Sequence, residues 1–121
     1  MADRMIHISW GAPVAGREER GLEVFNEALG LYGRMQQEGR IESFDVALMV
    51  PNGAKLDGFI ALRGSAAQMA AVREDEDFQR NMVDASLIVK DLCVCEGYTN
   101  EGIAQQMAMY QEAIGRVPQM A

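Results

Sequence analysis

His7 is the only histidine in the chain, and its type suits it to move a proton near neutral pH. A histidine held by a carboxylate can serve as a general base, and Asp91 is the carboxylate expected to orient it. Arg63 offers planar, permanently charged donors that could anchor an anionic group. Cys93 and Cys95 are one residue apart. On a strand they would share a face with Cα atoms roughly 6.5–7 Å apart, at or beyond disulfide reach. They read as two reduced thiols, as in a reducing compartment. With His7 and Asp91 they make a formal set of metal ligands. Structural zinc sites use wider cysteine spacing than Cys-x-Cys, so no metal is expected. Ser9 and Ser86 lack the context of a nucleophile elbow, and no Ser-His-Asp triad can be assembled.

These residues need elements to position them. Met5 to Trp10 alternates, with Ile6, Ile8 and Trp10 on one face and Met5, His7 and Ser9 on the other, which predicts a strand. Gly16 to about Gln37 reads as a helix with acidic residues early and Leu22, Phe25, Leu29 and Tyr32 as its buried stripe. Gly39 is placed for a left-handed C-cap. Ile41 to Val50 and Phe59 to Arg63 read as strands joined through Pro51-Asn52-Gly53. Ser65-Ala66-Ala67-Gln68 is a capping box opening a short helix, and a second helical stretch restarts near Asp75, with Phe78, Met82 and Ala85 inward. Leu87 to Cys95 reads as the fourth strand, with Val89, Asp91, Cys93 and Cys95 on one face. A last helix follows Asn100, with Ile103, Met107, Tyr110 and Ile114 as its stripe.

The order is β-α-β-β-α-β plus a C-terminal helix, a ferredoxin-like α+β arrangement with an antiparallel sheet in strand order 4-1-3-2. The 121 residues suffice for one domain, spanning 1–121. Helices would cover the face carrying Ile6, Ile8, Ile60, Leu62, Leu92 and Val94. The second face, with Met5, His7, Ser9, Phe59, Ala61, Val89, Cys93 and Cys95, is too apolar to face water. Packing two such sheets together would cover it, so a homodimer is expected.

Charge and composition narrow the partners. The formal net charge is −7 with no basic cluster, which argues against nucleic acid. No apolar run is long enough to span a bilayer, and Met1 to Arg4 lacks the basic and apolar regions of a leader. A cytoplasmic, membrane-free protein is expected. Nine methionines read as adaptable core filler, with Met5, Met49 and Met82 able to line a plastic pocket.

The stretches Trp10-Gly11, Gly16-Arg17-Glu18, Gln37 to Phe44 and Gly58-Phe59-Ile60 resemble a small bacterial group of uncharacterised proteins within the dimeric α/β-barrel superfamily. That superfamily includes cofactor-independent monooxygenases, muconolactone isomerase, haem-degrading enzymes, chlorite dismutase-like proteins and stress-responsive or regulatory proteins. The haem-degrading members use a helix-borne histidine, whereas His7 lies on a strand, so no cofactor is expected. Three functions follow from the residues and the resemblance together. One is binding of a small hydrophobic or aromatic molecule in a barrel cavity lined by Met5, Ser9, Trp10, Phe59, Arg63 and Cys93. Another is a cofactor-independent monooxygenase- or isomerase-like enzyme with His7 as base and Asp91 as its orienting group. A non-catalytic stress or regulatory role, with the sheet face as a dimer core, is the third.

Overall fold

The computed structural model describes residues 2–118 and residue 120; Met1, the first residue of the segment read for a leader, lies outside them. Four strands and four helices run in the order β1 (Arg4–Trp10), α1 (Glu18–Gln37), β2 (Ser43–Leu48), β3 (Gly58–Gly64), α2 (Ala66–Glu74), α3 (Glu76–Ser86), β4 (Cys93–Tyr98) and α4 (Glu101–Gly115). The sheet is antiparallel with order β2-β3-β1-β4, the expected topology. No helix among the described residues is long and apolar enough to cross a membrane.

Alternation in β1 sends Ile6 and Ile8 into the core beside Ile60 and Leu62 of β3. Register fixes the other face, because directly paired residues share a side. His7 lies between Ala61 and Cys95, Ser9 between Phe59 and Cys93, and Met5 between Arg63 and Gly97. Gly58 is required where Trp10 crosses it: a Cβ there would sit 2.7 Å from Trp10 Cζ2 and 2.8 Å from the Ala47 carbonyl oxygen.

The buried stripe of α1 differs from the expected one. Val24, Ala28, Leu31, Tyr32 and Met35 are buried, whereas Leu22 is 67 % exposed and Phe25 and Leu29 are only half-buried. Both stripes have helical spacing; packing against α3 selects between them. The Asn81 side-chain amide donates to the Val24 carbonyl (3.2 Å), drawing that turn of α1 inward. Gly39 takes φ +74°, as a helix-terminating glycine should.

The capping box at Ser65 forms in both directions, with Ser65 Oγ accepting from Gln68 N and Gln68 Oε1 accepting from Ser65 N. Asp75 ends α2 and caps α3, accepting from Phe78 N at 2.9 Å and pairing with Arg40. Partial burial pushes its carboxyl upward, but the Phe78 N–H and the Arg40 guanidinium outweigh this and leave it below the ordinary carboxylate value. Its contribution to stability is therefore present above the unfolded carboxylate value and is lost as pH falls through the lower folded one. Asp75→Ala is expected to cost about 1–2 kcal/mol at neutral pH. The difference from wild type should shrink below about pH 4 in urea titrations.

The main correction concerns the segment before β4. It starts at Cys93, not Leu87, and Val89 and Asp91 are not on the strand. Residues 88–90 instead lace against the end of β1: Val14 N donates to Ile88 O (2.8 Å), Gly11 N to Lys90 O (2.8 Å) and Lys90 N to Ala12 O (2.9 Å). Asp91 then turns the chain with φ +57°. The apolar alternation of Leu87 to Val94 mimics a longer strand, but Ile88 and Leu92 face the helices across a turn. The second strand is also shorter than its pattern, Ser43–Leu48 rather than Ile41 to Val50.

Candidate functional site

The residues expected to act together divide between two sides of the sheet. On the side without helices, His7 stacks on Phe59 with ring centroids 5.0 Å apart. Cys93 and Cys95 lie beside Ser9 and His7 on the edge strand, with Sγ atoms 3.4 Å apart. Their S–H···S contact pushes the Cys93 thiol upward, so it stays protonated near neutral pH. Met5 covers Gly97. Arg63 is engaged, its Nε donating to Asp45 Oδ2 at 3.0 Å, so its charge is balanced within the sheet. Asp45 reaches this face by the alternation of β2, and its pairing with Arg63 depends on the β2–β3 register, which the sequence does not state.

Asp91 does not join this group. It is exposed beside Gly11, where a Cβ would lie 3.0 Å from its Oδ2. Gly11 is four residues along from His7, about 13 Å at strand rise. A direct His7–Asp91 hydrogen bond, expected from a strand reaching back to Leu87, is therefore not formed. The same displacement disperses the formal metal set. Among the described residues no group of three or more His, Cys, Asp or Glu side chains converges as metal ligands.

Trp10 lies on the opposite side, in the core layer, edge-on to Phe25 at 5.9 Å. There it walls a small apolar cleft of about 70 Å³ between the sheet, α1 and α3, open at its mouth. Ile8, Phe25, Ile60, Met82, Ile88 and Leu92 supply much of the lining. Its polar members are Tyr32 and Asn81. Tyr32 is fully buried, and its hydroxyl has no hydrogen-bond partner among the described residues. Burial pushes the phenol far upward, so it remains a proton donor. A buried hydroxyl without a partner costs about 1–3 kcal/mol, so its persistence is a feature needing a cause. Sequence reasoning assigned Tyr32 to the helix stripe and missed Asn81. A polar residue on the inward turn of α3, three positions after Phe78, was the available signal.

No known family profile matches this sequence, and no curated protein matches it significantly. Solved structures do. An ethyl tert-butyl ether D (EthD) family protein from Bacillus halodurans superposes with TM-score 0.63 at 11 % identity, covering 83 % of this chain and 100 % of that one. A dimeric ferredoxin-like protein of unknown function from Jannaschia sp. CCS1 gives 0.62 at 12 % identity, over 79 % and 99 %. A dimeric protein of unknown function and ferredoxin-like fold from Bacteroides fragilis gives 0.58 at 10 % identity, over 79 % and 96 %. At these identities the likeness is one of fold. The antiparallel sheet in order β2-β3-β1-β4, with its helices and these neighbours, establishes the chain as an α+β protein of the ferredoxin-like fold.

Proposed function

We propose that this protein binds a small, largely apolar molecule carrying one hydrogen-bond acceptor, and does so as a homodimer. The carrying observation is Tyr32, which lines a mostly apolar cleft and whose buried hydroxyl has no hydrogen-bond partner among the described residues. Such a cleft with a few placed polar groups is the usual form of a small-molecule site. Trp10 and Phe25 offer rings for an aromatic ligand to pack against, and Met82 offers an adaptable wall. The site thus belongs to the space between sheet and helices, rather than to a barrel interior around His7.

The dimer reading rests on the other side of the sheet. Met5, Ser9, His7 and Phe59 are only half-buried there, and Cys93 and Cys95 are exposed. The charged pair on it, Arg63 and Asp45, neutralises itself. Two structural neighbours are described as dimeric. Face-to-face packing would cover this surface and leave the cleft open on the outer side.

The test is a fluorescence titration with 1-naphthol. Wild type is expected to bind it. Tyr32→Phe should bind about fivefold more weakly, the value of one neutral hydrogen bond. Ala85→Phe, which adds a ring to the cleft wall, should abolish binding. Equal binding by all three would move the ligand elsewhere and remove the reading.

A further inference from the structure

The last helix, α4, is chemically incomplete in a single chain. Ile103, Met107, Tyr110 and Ile114 follow one another at helical spacing, yet they are 38–62 % exposed, as are Met109 and Val117 to a similar degree. Only Gly102 is buried in the helix. Of the other elements, α4 packs chiefly against β4. It is tethered at its start, where Thr99 N donates to Asp3 O (3.0 Å), Asn100 Nδ2 donates to Ala2 O, and Gly102 sits against the Asp3 carbonyl. From there it extends for about 22 Å. A 15-residue helix with so little covering is marginal in water.

We infer that α4 packs on a second copy of this chain, forming an arm that extends the sheet-to-sheet interface across the β4 edge; this rests on the dimer proposed above. Two observations select a second copy as the occupant. The first is continuity: α4 follows directly from β4, whose Cys93 and Cys95 lie on the uncovered sheet face, so whatever covers that face reaches the helix. The second is charge. Each chain carries a net −7, so two copies can approach only where charge is sparse. From residue 101 to 118 the only charged residues are Glu101, Glu112 and Arg116, and the last two pair at 3.1 Å. The acidic residues Glu23, Glu27, Glu76, Asp77 and Asp84 lie on α1 and α3. An anionic membrane is a poor occupant, because such surfaces recruit helices rich in Lys and Arg.

The experiment uses the full chain in three forms: wild type, the double variant Met107→Lys/Tyr110→Lys, and Ser9→Glu on the sheet face. Sedimentation gives the dimer constant, and amide hydrogen exchange reports α4. The double variant is expected to weaken the wild-type dimer about 100-fold or more, the loss of two central anchors. Amides of residues 103–114 should exchange at least about tenfold faster in the Ser9→Glu monomer than in the wild-type dimer. A double variant that dimerises within threefold of wild type, beside a monomeric Ser9→Glu, overturns the arm and keeps the sheet interface. Equal α4 protection in dimer and monomer also overturns it, because the helix is then covered by its own chain or by nothing. A monomeric wild type overturns both readings.

Discussion

Ser9→Glu is expected to turn a dimer of this protein into a monomer, with at least a 1000-fold rise in the dissociation constant. Ser9 lies on a central strand between Phe59 and Cys93, half-buried and on the face without helices. In a two-fold interface one substitution acts twice, since each copy brings the same patch. Two new carboxylates would lose water with no cation to receive them, because Arg63 is held by Asp45. Leaving a charge buried and unpaired costs several kcal/mol. Within the protomer the new side chain still reaches solvent, so the fold should survive with an unchanged far-UV spectrum. Sedimentation equilibrium over a dilution series reads the constant. A Ser9→Glu protein that remains dimeric would place the interface elsewhere and leave the apolar sheet face unexplained.

Tyr32 separates a ring from its hydroxyl. Tyr32→Ala is expected to cost about 3–5 kcal/mol, because the fully buried ring packs edge-on to Phe44 (centroids 6.1 Å apart) and its loss leaves a cavity. Tyr32→Phe keeps the ring and removes only the unpartnered oxygen, so it should stabilise the ligand-free protein by about 1 kcal/mol. Urea unfolding measures both. A substitution that raises stability and lowers 1-naphthol affinity is the signature of a group kept for its ligand rather than for the fold. If Tyr32→Phe instead destabilises by 1 kcal/mol or more, the hydroxyl has a partner in solution, and the cleft loses its main claim to be a site.

The fold was legible because its signals are periodic and local. Ile6 and Ile8 alternate against His7 and Ser9, Gly39 stops a helix, and Ser65 with Gln68 starts one. Those patterns answer to backbone geometry that any chain must obey. The errors arose where two patterns were equally good. Leu22 and Val24 both begin stripes of helical period, and only contact with α3 chooses the second. Leu87 to Val94 alternates like a strand, but hydrogen bonds from residues 11–14 bend it into a turn. That one misreading carried the site with it. It placed Asp91 beside His7, on a strand that in fact begins only at Cys93. Burial of Tyr32 was foreseeable from its spacing, whereas whether its hydroxyl finds a partner among the described residues depends on tertiary placement, which no local pattern encodes. The four apolar residues of α4 were correctly seen as one stripe. That the stripe lacks a cover among the described residues is a property of tertiary placement alone.

The position of β1 between β3 and β4 also sets the order of events during synthesis. Of the four strands, the first to leave the ribosome is a central one, and its neighbours begin at Gly58 and Cys93. Until then Ile6 and Ile8 have nothing to pair with, and one ladder of the sheet can close only once the residues from Cys93 onward exist. Closing so long a loop is entropically costly before any contact rewards it, which slows folding and prolongs exposure of strand edges. Residues 88–90, laced to residues 11–14, hold the two distant segments together next to the start of β4. A chain released before Cys93 would therefore present an open, apolar β1 edge, the kind of surface that molecular chaperones hold and proteases clear.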